Sequence, residues 1–408
     1  MNENSAKGTS VFQNGLVWFG AAVSIAEIEV GGQLAGQAAG GRLGQVAAAI
    51  VIGHIIGGVL LFLVGLIGAQ SRCGAMDCVK TPFGRWGAGF FAIANIVQLL
   101  GWTAVMVAQG AQAAMELLPG VPFTALAVGI GLLVAAWIFI GLGGVSRINA
   151  VAMGLLFALT AFLCVRLFGE GAESGAIEVD DAASGGVFWT ALELSVAMPL
   201  SWLPLVADYT KDAERPVAAS AASAAIYTVV SCWMYAIGLG VALAGLGDSF
   251  AAGVRAAGVG LAGVLVVIFS TVTTTFLDAY SAGESAKSLW NRLPAKGFGV
   301  AVCALGTILA IFVGMDHYLD FLYLIASVFA PMAAVLVVDE LRARAWSTEP
   351  AGAAQRPRTP REVVVNLVAW AVGLAVYHVA LAKGWPIGAT LPAMAAAAAM
   401  ASLNRLTV

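Results

Sequence analysis

VVIFSTVTTTFLDAYSAGES, residues 266–285, is an apolar run interrupted by hydroxyls and by one carboxylate. Read as an α-helix, it places Ser270, Thr273 and Thr274 at i, i+3 and i+4, so a backbone carbonyl and two hydroxyls converge on one face. Asp278 follows one turn later, roughly 6 Å from Thr274 along the axis. Hydroxyls and carbonyls are hard oxygen donors suited to a small cation. Ser and Thr in membrane helices also bond their own backbone or a neighbouring helix, and for any single Thr that reading stays open. Asp278 favours a site, because a carboxylate at membrane depth is costly and usually faces a bundle interior or a polar cavity.

The rest of the chain agrees with a membrane setting. Of 408 residues, 60% are hydrophobic and 11% charged, which points to a polytopic membrane protein. The net charge of −3, with no basic run interleaved with aromatics, excludes nucleic-acid binding. Cys73, Cys78, Cys164, Cys232 and Cys303 form no CxxC pair, so neither a disulfide framework nor a zinc site is expected. The N-terminal residues lack the basic and short apolar regions of a cleaved signal peptide, and Val11 onward reads as the first membrane helix. The three histidines, His54, His317 and His378, read as isolated, and without a nucleophile elbow or metal-ligand spacing no enzyme is expected.

Apolar runs of about 20 residues between Gly, Pro or charged breaks give twelve spans. They cover 14–37, 43–69, 86–116, 122–142, 148–168, 187–207, 217–246, 256–284, 297–315, 318–338, 362–382 and 386–403. With a cytoplasmic N-terminus, sixteen of the twenty Lys and Arg fall in inner segments, and only Arg42, Arg166, Arg255 and Lys383 fall outside. The expected layout is a cytoplasmic N-terminus over 1–13, a ten-helix core over 14–338, a flexible cytoplasmic loop over 339–361, and two accessory helices with a short cytoplasmic tail over 362–408.

Two spans are interrupted in related places. The first, WFGAAVSIAEIEVGGQLAG from Trp18, holds Glu27 and Glu29 before Gly31 and Gly32; the sixth, ALELSVAMPLSWLPLVADYT from Ala191, holds Glu193 and is broken by Pro199 and Pro204 around Trp202. Their separation by five spans is that of two inverted five-helix repeats, in which broken helices free carbonyls to line a midplane site. On the third span Asn95, Gln98, Trp102 and Gln109 form a polar stripe that serves either helix packing or binding. A single midplane pocket between broken helices fits a carrier better than a channel, which needs rings of pore-lining charge. The coupling ion is sodium or a proton, with Asp278, Glu27 or Glu193 as the titrating group in the second case.

At these residues the chain resembles the nucleobase–cation symporter family, transporters of cytosine, purines, allantoin and hydantoins, and most of all its CytX-type branch of hydroxymethylpyrimidine transporters. The resemblance covers nearly the whole chain and is strongest in WFGAAVSIAE (18–27), GWTAVMVAQG (101–110), SWLPLVADYT (201–210) and STVTTTFLDAYSAG (270–283). It implies an all-α sodium-symporter fold of two inverted five-helix repeats plus two extra helices, in a bacterial inner membrane, working as a monomer. It also implies uptake of a small pyrimidine with a coupling sodium ion and no other cofactor. The family's sodium ligands would be the Gly20 and Val23 carbonyls with Ser270, Thr273 and Thr274. Its stacking tryptophans match Trp102 and Trp202, whose faces suit a flat heterocycle. Its polar substrate positions match Ser24 and Glu27 on the first span. Asp278 replaces the usual amide, and Met106 stands where relatives carry Gln or Asn.

Overall fold

The computed structural model describes residues 8–144, 186–245, 260–313, 318–345 and 357–404, with isolated positions between 154 and 165 and Gly258. Among them there is no β-sheet, only a single bridge between Thr9 and Ala213. Among the described residues eight helices are long and apolar enough to cross a membrane, or nine if the bent first pair is one span; Val187–Ser201 and Thr390–Ser402 are shorter apolar helices. The fifth expected span, 148–168, lies largely outside the described residues.

The first span is two helices, α1 (Val11–Ala22) and α2 (Ile25–Gln33), the second running into a short α3 (Ala35–Ala38). Capping chemistry sets these limits. Ser10 and Gln13 form a capping box at the start of α1, and the Ser24 hydroxyl accepts the Glu27 amide to open α2. A residue that caps a new helix leaves the old one, and the axis turns by 49°. The sixth span breaks by a different device. α7 (Val187–Ser201) gives way to tight turns from Trp202 to Leu205 before a five-residue α8 (Val206–Thr210). Pro204 lacks an amide and disfavours helical geometry at Leu203, so the break falls there.

Around these two broken spans stand α4 (Leu43–Ser71), α5 (Ala75–Leu117), α9 (Pro216–Leu243) and α10 (Gly260–Leu289). α5 is broken at Gly84, whose φ of 66° lies in the left-handed region that glycine tolerates, and the expected third span, 86–116, is the part after that break. α1 and α2 pack on α9, α10 packs on α5, and α4 packs on α7 and α9. α6 (Phe123–Gly144) and α11 (Ala295–Phe312) flank α5 and α10, while α12 (Tyr318–Ala345) carries α13 (Pro360–Lys383) and α14 (Thr390–Ser402). The expected loop is held at both ends. Arg358 makes a bidentate pair with the buried Asp339, and Thr359 and Glu362 form a capping box for α13. Only 346–356 of it lie outside the described residues.

Lipid gives helices no hydrophobic reason to associate, so close packing of small residues carries more weight here than in water. The tightest approach joins α2 to α9. A Cβ on Gly238 would stand 1.8 Å from the Ile28 carbonyl oxygen, and one on Gly31 would stand 2.3 Å from that of Tyr235. Backbone cannot yield as a side chain can, so Gly238→Ala forces the two helices apart, at about 1 to 3 kcal/mol. It is expected to lower the unfolding temperature in detergent. Gly36→Ala, with nothing within 4 Å of the new methyl, is expected to leave it unchanged.

Candidate functional site

The break in α1 frees specific carbonyls. The Ser24 amide bonds the Ala22 carbonyl and the Glu27 amide bonds the Ser24 hydroxyl, so Gly20 and Val23 receive their donors from α10. Ser270 Oγ donates to Val23 O at 2.7 Å, and Thr274 Oγ1 lies 3.4 Å from Gly20 O and 3.0 Å from Ser270 O. Thr273 Oγ1 joins the group at 3.0 Å from Ser270 O. All five residues expected at the cation site thus meet in one place. The donor set is wholly neutral oxygen, three carbonyls and two hydroxyls, with a further hydroxyl from Ser270; that chemistry fits a hard monovalent cation and offers nothing to a thiophilic metal.

One turn further along α10 the same helix enters a small cavity lined by Ser24, Ala26, Glu27, Trp102, Met106, Met198, Ser201, Trp202, Thr274 and Asp278. Every residue expected to bind substrate lines it: Ser24, Glu27, Trp102, Met106, Trp202 and Asp278. Sequence reasoning missed Ala26, Met198 and Ser201, which reach the cavity from the two broken spans. Thr274 belongs to both the cavity wall and the hydroxyl–carbonyl cluster. Trp202 is braced edge-on by Trp18, with centroids 5.6 Å apart, and Trp102 packs edge-on against Phe321 at 5.9 Å. Asp278 is 3% exposed, and no described donor reaches its carboxylate.

Other expected groups turn out to have structural partners. Asn95 donates to the Pro204 carbonyl at 3.1 Å and to Ser285 Oγ at 2.8 Å, and Gln98 donates to Asn95 Oδ1. Asn95 of the stripe therefore secures the break in the sixth span, with Gln98 bonded to it. Glu29 takes the Gln109 amide, away from the cavity. Glu193, expected as one of three possible titrating groups, lies outside the cavity and accepts the Thr390 amide at 2.9 Å and its hydroxyl at 2.6 Å, clasping α7 to α14. Depth in the membrane marked it, but depth does not name a partner. His54 is likewise not isolated: its Nε2 lies 2.6 Å from Ser231 Oγ, which contacts Glu27 Oε2 at 2.7 Å. A histidine in the second span and a Tyr227/Ser231 pair one helical turn apart in the seventh were the available signals.

Polar contacts also tie the end of the sixth span to α4, α5 and α10. Asp208 caps the start of α5 through the Ala75 amide at 2.8 Å, Lys211 pairs with Glu284, and Arg72 donates to the Ala213 carbonyl at 2.6 Å. Burial works against the Lys211 ammonium, but Asp208 and Glu284 outweigh it and raise its pKa above the usual lysine value.

A family model described as "Permease for cytosine/purines, uracil, thiamine, allantoin" matches residues 3–401, and the chain belongs to that family, the nucleobase–cation symporters. The vitamin B6 transporter TPN1 of Saccharomyces cerevisiae is 24% identical over 299 residues, which are 66% of this chain and 51% of that protein. The chain thus spans about half the length of that curated relative. The fold is similar to that of Mhp1, a nucleobase-cation-symport-1 family transporter in a closed conformation with bromovinylhydantoin bound. That match has a TM-score of 0.76 and 19% identity, covering 100% of this chain and 97% of that one. A Na+-coupled sialic acid symporter in an outward-open state matches with a TM-score of 0.65 and 12% identity, over 98% and 89% of the two chains.

The Glu193 clasp has a direct test. Thr390→Val keeps the shape and the backbone amide but removes the shorter of the two donors, which costs about 1 to 3 kcal/mol at a buried carboxylate. The expected outcome is a lower unfolding temperature, with the affinity of folded protein for its cargo unchanged.

Proposed function

We propose that this protein is a secondary active transporter that imports a small pyrimidine, hydroxymethylpyrimidine, by sodium symport through alternating access. One observation carries the reading: the cavity holding Trp102, Trp202 and an unpartnered Asp278 shares Thr274 with the hydroxyl–carbonyl cluster at the break in α1. A cation at Gly20, Val23, Ser270, Thr273 and Thr274 would pull α1 and α10 together and stabilise the charge on Asp278. Cation and cargo then favour one another by reciprocal linkage. The wider frame is twelve spans in a five-plus-five inverted repeat with two accessory helices, acting as a monomer in a bacterial inner membrane with both termini cytoplasmic.

The choice of cargo follows from donors and acceptors. An ionised carboxylate only accepts, so Asp278 prefers a ring edge that presents an exocyclic amine. Met106, apolar and adaptable, suits a methyl group on the opposing edge. Hydroxymethylpyrimidine has both; cytosine has the amine alone, and purines, allantoin or hydantoins fit less well. The likeness to a vitamin B6 transporter favours a second cargo of related shape, since B6 vitamers are also methyl- and hydroxymethyl-bearing nitrogen heterocycles. Pyridoxine lacks the amine, so competition for labelled hydroxymethylpyrimidine uptake separates the two. Stronger inhibition by cytosine or pyridoxine than by unlabelled hydroxymethylpyrimidine would refute the assignment.

Two sets of variants test the parts. Thr274→Ala is expected to raise the sodium concentration for half-maximal uptake in proteoliposomes by roughly tenfold, the loss of one ligand, whereas Thr274→Ser retains the hydroxyl and stays near wild type. Wild-type uptake that ignores sodium and follows only a proton gradient would contradict sodium coupling. In the cavity, Asp278→Asn can turn its amide oxygen to the amine and keeps partial activity. Asp278→Leu leaves that donor unpaired and weakens binding by about 1 to 3 kcal/mol, and Trp102→Ala removes a stacking face, with folded protein recovered in both cases.

A further inference from the structure

Glu27 forms part of the cavity wall, yet its hydrogen bonds come from behind that wall. Tyr227 Oη donates to Oε1 at 2.6 Å, and Ser231 Oγ lies 2.7 Å from Oε2. Behind Ser231, His54 Nε2 stands 2.6 Å from the hydroxyl oxygen, and His54 Nδ1 stands 2.8 Å from the Ile50 carbonyl. Glu27 is 1% exposed, and His54, Ser231 and Tyr227 are fully buried. The line crosses three elements, α2, α9 and α4.

Counting protons along this line fixes its charge. The Ile50 carbonyl can only accept, so Nδ1 carries hydrogen. The Ser231 hydroxyl has one hydrogen for two neighbours. If that hydrogen points to Glu27, Nε2 must be protonated as well, and an imidazolium faces a carboxylate through the serine. If it points to His54, Glu27 Oε2 must carry the hydrogen, and both groups are neutral. Either arrangement holds one proton more than an ionised glutamate beside a neutral imidazole, and either has zero net charge. The remaining assignment sets two lone pairs against each other across a contact of 2.8 Å or less between fully buried groups.

The surroundings supply no alternative counter-charge. On α2 the next ionisable group is Glu29, bonded to Gln109, with Glu116 of α5 beyond it. From α9 come Tyr227, Cys232 and Tyr235, whose ring lies edge-on to His54 at 4.6 Å. α10 contributes Asp278 across the cavity, and α7, packed on α4, contributes Glu193, which is engaged by Thr390. Among the described residues no Lys or Arg pairs with Glu27.

We propose that Glu27, Ser231 and His54 form a proton-binding site in the wall of the cargo cavity, holding one shared proton that keeps the wall neutral beside Asp278. Loss of that proton leaves a second buried negative charge in the cavity wall. Affinity for a neutral heterocycle therefore falls as pH rises through the deprotonation of the site. Glu27→Gln reproduces the loaded state permanently: its amide donates to Ser231, Ser231 donates to His54, and its carbonyl accepts from Tyr227.

The proton is counted first, without any cargo. Purified full-length protein in detergent is titrated from neutral to alkaline pH, and protons released are measured with an indicator dye for wild type and Glu27→Gln. The expected difference is one proton per chain, since tyrosines and cysteines titrate in both; no difference overturns the proposal. Ser231→Ala cuts the line while leaving both ends in place, and it is expected to shift that release by about one pH unit or more. A curve superposed on wild type would show that the proton is not shared. The functional arm rests on the cargo reading above and uses labelled hydroxymethylpyrimidine: binding weakens at high pH in wild type and is flat in Glu27→Gln. A one-proton difference with no hydroxymethylpyrimidine binding at any pH would refute the cargo and keep the site, whereas pH-dependent binding retained by Glu27→Gln would refute the site's coupling to cargo.

Discussion

The hydrogen bonds from α10 to the broken end of α1 are the contact on which the rest depends. A helix that stops inside a bilayer leaves carbonyls that water cannot satisfy, and each one unpaired would cost several kcal/mol. Ser24 ends α1 by capping α2, and the hydroxyls of Ser270 and Thr274 then reach the Val23 and Gly20 carbonyls. Those same oxygens can hold a cation. The polar groups that make the break tolerable are therefore the ones that make it useful, and the cavity lies beside them because Thr274 and Asp278 are one turn apart on one helix.

The second break is supported from a different direction. Asn95 bonds the Pro204 carbonyl, Tyr209 Oη donates to the Leu277 carbonyl at 2.7 Å, and Thr210 Oγ1 donates to the Gly65 carbonyl at 2.7 Å. α5, α10 and α4 each hold part of the sixth span. The glycine contact between α2 and α9 fixes the other half of the cavity wall and brings Tyr227 and Ser231 to Glu27. Close backbone packing and polar satisfaction thus act on the same residues.

How much of this could be read from the chain varied with the kind of signal. The hydroxyl cluster on α10 followed from spacing alone, because hydroxyls at i, i+3 and i+4 must share a helix face. The carbonyls of Gly20 and Val23 leave no side-chain trace, and only family resemblance pointed to them. Trp102, Met106 and Trp202 came from the same source, and the structure brings them to one cavity. Glu193, Asn95 and Gln98 carried the signature of a site, polarity at depth, and in the structure they bond neighbouring segments outside the cavity, since sequence does not say which neighbour a buried polar group meets. His54 showed the opposite failure: its partners lie 177 and 4 residues away, and periodicity within one helix cannot relate α4 to α9.

The central claim is that the cation cluster and the cargo cavity are energetically one site. Equilibrium binding of labelled hydroxymethylpyrimidine to purified protein, with no membrane and no gradient, measures this directly as sodium is exchanged for choline at constant ionic strength. Affinity that rises with sodium and saturates is the predicted result. Measurable affinity that is identical in sodium and in choline would contradict it.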